Sequence, residues 1–294
     1  MQLTLAPIPF YWPRETVLNF YEQAAHWPVD RVVVGENVCS KRRELRTDDW
    51  LNVAQRLRDA GKEVAVSTLA LLEAESDLKT VERLCRQHDI SVEANDFSAV
   101  NALHREGVPF STGPYLNIYN AQTLDLLVAD GMNRWTLPVE LGRETLKTLL
   151  AHIDSSALPL ATEVMAHGYL PLALSARCFT ARALERPKDA CKRVCIDYPT
   201  GIPVDSQEDQ RLFTMNGIQT LSGDILDLQA QIPEMADLGV NALRISPSQP
   251  EMTDIVASYA AAIQSRESQP TPASSAPYCN GYWFEEAGMI HHAI

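Results

Sequence analysis

Cys39, Cys178, Cys191 and Cys195 are the residues of this 294-residue chain whose type and placement best fit metal or redox chemistry. Thiolates ligate soft metals and iron-sulfur clusters and are also the sulfur nucleophiles of proteins. Cys191 and Cys195 are four residues apart, so a local helix would put both thiols on one face. Cys178 lies thirteen residues before Cys191. Spacing alone leaves buried thiols, zinc and an iron-sulfur cluster all open, because Cys-x3-Cys is neither a zinc-ribbon pair nor a ferredoxin run. A disulfide framework is not expected in a chain with so large an apolar core. Lys41, Arg42, Arg43 and Arg46 follow Cys39, and Arg177, Arg182, Arg186, Lys188, Lys192 and Arg193 surround the other three cysteines. These runs read either as solvated surface or as cations that offset thiolate charge.

The elements that must carry these residues are short β-branched runs alternating with amphipathic stretches. Candidate strands are Leu3 to Ala6, Arg31 to Gly35, Glu63 to Thr68, Ser91 to Asn95, Pro109 to Gly113, Arg134 to Pro138, Leu160 to Met165 and Val240 to Ser246. Helical periodicity covers Arg14 to Ala25, Asp48 to Ala60, Leu72 to Gln87, Ala121 to Ala129 and Arg143 to Ala151. Thr47 or Asp48 suits an N-cap, and Gly61, Gly107 and Gly131 suit left-handed helix ends. Eight βα units predict a (β/α)8 TIM-like barrel of the α/β class.

The period breaks between strands seven and eight, where residues 170–239 form a cysteine-rich insertion on the face that holds barrel active sites. Cys39 directly follows strand two and opens on that same face. The four thiols therefore converge in expectation, while Cys85 and Cys279 read as non-ligands. The domain plan is a barrel over residues 1–264 including the insertion, a Pro/Ser-rich linker over 265–277, and an aromatic tail over 278–294 that docks on the barrel or on a partner.

Polar residues at the predicted strand ends, Glu36, Glu93, Asn95, Asn117, Glu140, Glu163 and His167, are candidates for lining the barrel's pocket. For any one of them, a helix cap, loop surface or hydrogen-bonded core position is the competing reading. A formal charge of −13 disfavours nucleic acid as a partner. No run is long and apolar enough for a transmembrane segment, and the N-terminus lacks a secretory signal, which predicts a cytoplasmic protein. Walker, Gly-x-Gly-x-x-Gly, His-Glu-x-x-His and Gly-x-Ser-x-Gly motifs are absent from the sequence.

The stretch TEVMAHGYLPLALSARC, Thr162 to Cys178, resembles the signature of the collagenase-like peptidase superfamily. Glu163, His167, Gly168, Ser175 and Cys178 match its pattern; Met165, Ala176 and Pro171 depart from it, Pro171 standing where a cysteine is usual. Further blocks resemble the branch of that superfamily that serves oxygen-independent ubiquinone biosynthesis: YWPRET from Tyr11, CSKRR from Cys39, STLAL from Ser67, VEAND from Val92, PVEL from Pro138, SARCFTAR from Ser175, RPKDAC from Arg186, NGIQT from Asn216 and CNGYW from Cys279. The resemblance implies a [4Fe-4S] cluster on Cys39, Cys178, Cys191 and Cys195, with Cys39 replacing the ligand lost at Pro171. It also implies a heterodimer with a UbiU-like sister protein, a UbiT-like lipid carrier as pathway partner, and a role in hydroxylating the ring of a ubiquinone precursor. RNA-base hydroxylation and peptidase activity are the alternatives that the superfamily brings with it.

Overall fold

The computed structural model describes residues 1–267 and 277–292. Strand and helix alternate from the start: β1 (Gln2–Leu5), α1 (Arg14–Ala24), β2 (Arg31–Val34), α2 (Thr47–Asp59), β3 (Glu63–Ser67), α3 (Glu75–Cys85) and β4 (Ser91–Ala94). They continue as α4 (Phe97–Glu106), β5 (Phe110–Thr112), α5 (Ala121–Ala129), β6 (Met132–Thr136), α6 (Arg143–Ser155) and β7 (Ala161–Leu174). After β7 come α7 (Phe179–Ala183), β8 (Ile202–Asp205), β9 (Arg211–Asn216), β10 (Gln219–Asp227), α8 (Ile232–Asp237), β11 (Ala242–Ile245), α9 (Thr253–Ser265) and β12 (Tyr278–Cys279).

Strands β1 to β7 lie side by side in parallel, and β11 pairs in parallel with both β7 and β1, which closes an eight-stranded barrel. All eight predicted strand runs are barrel strands. Period-two alternation explains why they are. One set of side chains, including Leu3, Leu5, Val32, Val34, Val92, Trp135 and Leu243, joins the apolar cluster under the helices. The intervening set, including Thr4, Glu93, Arg134, Glu163 and Arg244, is buried and polar and fills the barrel.

Helices α4 and α9 lie outside the segments predicted from periodicity. Helix α4 is fixed locally by Asp96, whose carboxylate accepts the Ser98 N–H at 2.7 Å, and by Gly107, which ends it at φ 64°. The N-cap of α2 is Arg46 rather than Thr47 or Asp48, since Asp49 reaches back to accept the Arg46 N–H at 2.8 Å.

The insertion begins inside β7. Its first part pairs with β6 and β11, and its second part leaves the barrel and pairs antiparallel with β10, which pairs with β9 and then β8. Gly168 makes that exit possible: its φ is +122°, and a Cβ there would stand 2.6 Å from the Ser246 carbonyl oxygen. Beyond residue 277, β12 adds to β10, and Trp283 is buried with its indole N–H donating to Glu234 at 3.1 Å. The aromatic segment thus docks on the barrel. Residues 268–276, most of the expected linker, lie outside the described residues.

Candidate functional site

The loop after β2 is shaped from within. Glu36 Oε1 accepts the N–H groups of Val38 at 2.9 Å and Cys39 at 3.0 Å, which turns Cys39 toward the insertion. Buried Arg42 donates to the Pro9 carbonyl and to Asn216 Oδ1, both at 2.7 Å, and lies 3.7 Å from Glu36. One guanidinium thereby ties the chain after β1, the Cys39 loop and the end of β9. Lys41 adds a second tie, donating to the Lys188 carbonyl at 3.1 Å and to Asp189 at 3.0 Å. Lys188 in turn bonds Glu73 and the Ala176 carbonyl.

Cys178 caps α7, its sulfur accepting the Ala181 N–H at 3.4 Å; Cys191 Sγ accepts the Arg193 N–H, also at 3.4 Å. Cys191 and Cys195 do not share one helix. Short 3-10 turns at Lys188–Ala190 and Val194–Asp197 flank Lys192 and Arg193, which are left-handed at φ 50° and 55°. Cys195 Sγ donates to the Arg193 carbonyl at 3.8 Å, and Arg42 is near enough to oppose the rise of its thiol.

The negative charge of Cys195 raises Cys39, that of Cys178 raises Cys195, and Cys39 and Cys191 both raise Lys41, so the four thiols lie within electrostatic reach of this loop. Burial pushes the Cys39 thiol up to about 11, against the opposing pull of the Lys41 N–H and Arg42. Burial also raises Cys195, again opposed by Arg42. All four are half-buried, whereas Cys85 and Cys279 are sealed in the apolar core. Among the described residues, no three His, Cys, Asp or Glu side chains crowd one point as they would around a single metal ion.

Inside the barrel, the predicted pocket residues separate. Glu93, Asn95 and Glu163 come together. Arg244 clamps Glu93 with bonds of 2.7 and 3.0 Å and reaches Glu163 at 2.9 Å. Glu163 also accepts from Thr4 at 2.6 Å and Thr136 at 3.2 Å, and Arg134 stands 3.5 Å away. Toward the opposite end, Arg134 approaches Glu63 at 3.6 Å, and Arg31 pairs with the same carboxylate. Three arginines and three glutamates thus form a neutral ladder where other barrels stack branched apolar side chains. Burial alone would raise the Glu163 carboxyl, but Arg244, then Arg31, the Thr4 hydroxyl and Arg134, outweigh it and hold it at about 2. Asn95 donates to Ser67 at 2.7 Å and to the Thr68 carbonyl at 2.9 Å.

The other candidates lie elsewhere. Glu36 supports the Cys39 loop, Asn117 and Glu140 are exposed, and Glu140 accepts from the Tyr119 hydroxyl at 3.1 Å. His167 is fully buried between the rings of Tyr259 and Tyr278, facing away from the ladder, and burial lowers it to about 4. The barrel mouth itself is roofed by Tyr169 of β7 and by Pro171, Gln219 and Leu221 of the insertion. They leave a cavity of about 20 Å³ above Arg244, room for roughly one water molecule. Arg31, Arg134 and the roofing Gln219, which donates to the Tyr115 hydroxyl at 2.8 Å, were not singled out by the sequence. An arginine at an inward position of an otherwise apolar strand was the available signal for the first two.

The sequence profile of Peptidase family U32 matches residues 17–287. The chain belongs to peptidase family U32. Among solved structures, the U32 peptidase Mk0906 is similar at 12% identity, with 84% of this chain and 93% of that one covered and a TM-score of 0.45. The tryptophan synthase complex of Pyrococcus furiosus matches at 9% identity over 90% of this chain and 98% of that one, with a TM-score of 0.49. Streptococcus suis SuiB bound to S-adenosylmethionine matches at 10% identity and a TM-score of 0.38, over 56% of this U32 chain and 51% of SuiB. The chain therefore spans about half the length of SuiB. Among the described residues, no helix is long and apolar enough to cross a membrane.

Proposed function

We propose that this U32 protein is a UbiV-like iron-sulfur subunit that acts in the cytoplasm, with a UbiU-like sister protein, in oxygen-independent hydroxylation of a ubiquinone precursor's ring. The observation that carries the reading is the tie between the Cys39 loop and the insertion that bears Cys178, Cys191 and Cys195, made by Lys41 to Lys188 and Asp189 and by Arg42 to Asn216. Four soft donors with backbone N–H groups aimed at two of the sulfurs fit a [4Fe-4S] cluster. A cubane spreads its thiolates to separate corners, so its ligands need not crowd one point as those of a single ion do. When bound, such a cluster supplies a one-electron redox centre.

The protein's own residues do the rest. Arg42 and Lys41 offset the negative charge that four thiolates bring, and Arg42, being buried and held by Pro9 and Asn216, does so at a fixed position. The filled, charge-neutral barrel and its roofed mouth leave little room for a ring, which favours a substrate site completed by the sister subunit. A UbiT-like carrier would bring the lipid-linked ring to that pair.

The test is complementation. In anaerobically grown cells lacking this chain, the wild-type protein should restore ring-hydroxylated quinone, and Cys39→Ala or Cys191→Ala should not. Equal restoration by both variants would overturn the proposal. So would cleavage of casein or gelatin by purified protein that survives inhibitor controls, or RNA binding that weakens steeply with salt.

A further inference from the structure

A second cavity lies beside the cysteine centre, sharing Glu36 and Arg42 with it, and outside the barrel interior. This cavity occupies about 340 Å³ between α2, α3 and the loop after β2, within the ~300–1,000 Å³ range of small-molecule pockets. Its floor is apolar, made by Leu45, Trp50, Val66, Leu69 and Leu84. Its rim carries Arg43, Arg46 and Arg83. Among the described residues, none of these three forms an ion pair, whereas Arg14, Arg31, Arg134, Arg143, Arg211 and Arg244 all do. The Arg43 side chain bonds only the Ser40 carbonyl, at 3.4 Å, and that of Arg83 only the Thr47 hydroxyl.

Beside the paired Arg42 and Glu36, these three guanidiniums share the lining with two carboxylates, Asp48 and Asp77, and in a chain of net charge −13 that local excess of positive charge is one an anion would correct. The hydroxyls of Thr47, Ser76 and Thr80 also line the pocket. Thr80 spends its proton on the Ser76 carbonyl at 3.0 Å, yet three guanidinium forks with the Thr47 and Ser76 hydroxyls offer more donors than the four lone-pair positions of one carboxylate can accept. A phosphate, with three terminal oxygens, matches that set better. Asp48 and Asp77 add acceptors on the same wall; Asp77 uses one oxygen for the Glu73 N–H at 3.1 Å and keeps the other available. Acceptors of this kind suit sugar hydroxyls, as acidic residues do in dinucleotide sites. The Trp50 ring and the leucines beside it offer a surface for a planar base.

We propose that this pocket binds a mononucleotide-class ligand, a phosphate monoester on a sugar with a planar aromatic base. The guanidinium rim takes the phosphate and the apolar floor takes the base. The site is independent of the cluster reading, although the two share the loop that carries Cys39.

Calorimetric titration of the full-length protein with AMP, ribose 5-phosphate and inorganic phosphate tests it. AMP should bind, ribose 5-phosphate should bind more weakly, and Arg46→Gln and Arg83→Gln should each weaken AMP by about tenfold or more, the factor that one lost charge-assisted bond produces. These arginines are exposed, so the variants should keep the wild-type melting temperature. Trp50→Leu should weaken AMP while leaving inorganic phosphate unchanged. Absence of binding by all three probes at millimolar concentration would overturn the proposal, as would AMP affinity unaltered in the Arg46→Gln/Arg83→Gln double variant. Equal affinity for AMP and inorganic phosphate would overturn the assignment of an aromatic body.

Discussion

Arg244→Leu is the most revealing single change in the barrel. The arginine is 2% exposed and holds two buried carboxylates with three bonds of 2.7 to 3.0 Å. Leucine fills part of the volume but leaves the carboxylates without their shared cation. They do not suffer equally. Glu163 keeps Thr4, Thr136 and Arg134, whereas Glu93 keeps only the Ser67 hydroxyl at 3.2 Å. Most of the loss therefore falls on Glu93, and stranding one buried charge costs about 3–5 kcal/mol. At about 2–4 °C per kcal/mol for a chain approaching this size, the melting temperature should fall by roughly 6–20 °C. Thermal and urea unfolding followed by circular dichroism read the change. Adding Glu93→Gln to Arg244→Leu removes the stranded charge and should recover about 2 kcal/mol or more of the loss. A single variant that loses less than about 1 kcal/mol, or a double variant no more stable than the single, would refute the claim that the ladder is a paired ionic core.

Other outcomes follow from the same geometry. Glu163 is held at about 2 instead of its ordinary 4.5, so its contribution to stability is complete above pH 4.5 and is lost as pH falls toward 2; it amounts to about 3 kcal/mol. Glu163→Gln should lower stability by that order at pH 7 and flatten urea-unfolding stability between pH 4.5 and 2; an unchanged acid limb would count against it. His167 is lowered to about 4, so the protein should lose stability as pH falls from 6.5 toward 4, and His167→Phe, packed between Tyr259 and Tyr278, should abolish that part of the decline. Gly168→Ala should cost about 3 kcal/mol, since it combines a strained φ with a clash on the Ser246 carbonyl; a neutral effect in chemical denaturation would mean that β7 leaves the barrel by another path.

The barrel was legible because its strands alternate apolar residues that meet the helices with residues that face inward, and that period survives in short runs such as Arg31 to Val34. Strands β8 and β9 were not legible. Ile202–Asp205 and Arg211–Asn216 are largely half-exposed and lie in a sheet whose partner, the second half of β7, reads as a simple continuation of a barrel strand. That Cys39 opens on the same face as the cysteine-bearing insertion followed from topology alone. The left-handed pair Lys192 and Arg193 did not, because neither residue type signals that conformation. The polar strand residues carried a different ambiguity. Glu93 and Glu163 read equally well as pocket lining or as core, and only their distances to Arg244 distinguish the two.

The central claim is that Cys39, Cys178, Cys191 and Cys195 ligate one cluster, and iron and sulfide counts on anaerobically purified protein test it most directly. The wild-type chain and Cys85→Ala should each carry about four irons and four sulfides with a broad visible absorption that bleaches with dithionite, while Ala at any of the four proposed ligands should lose most of the iron. Equal iron in all five variants, or a metal-replete wild type with no acid-labile sulfide, would contradict it.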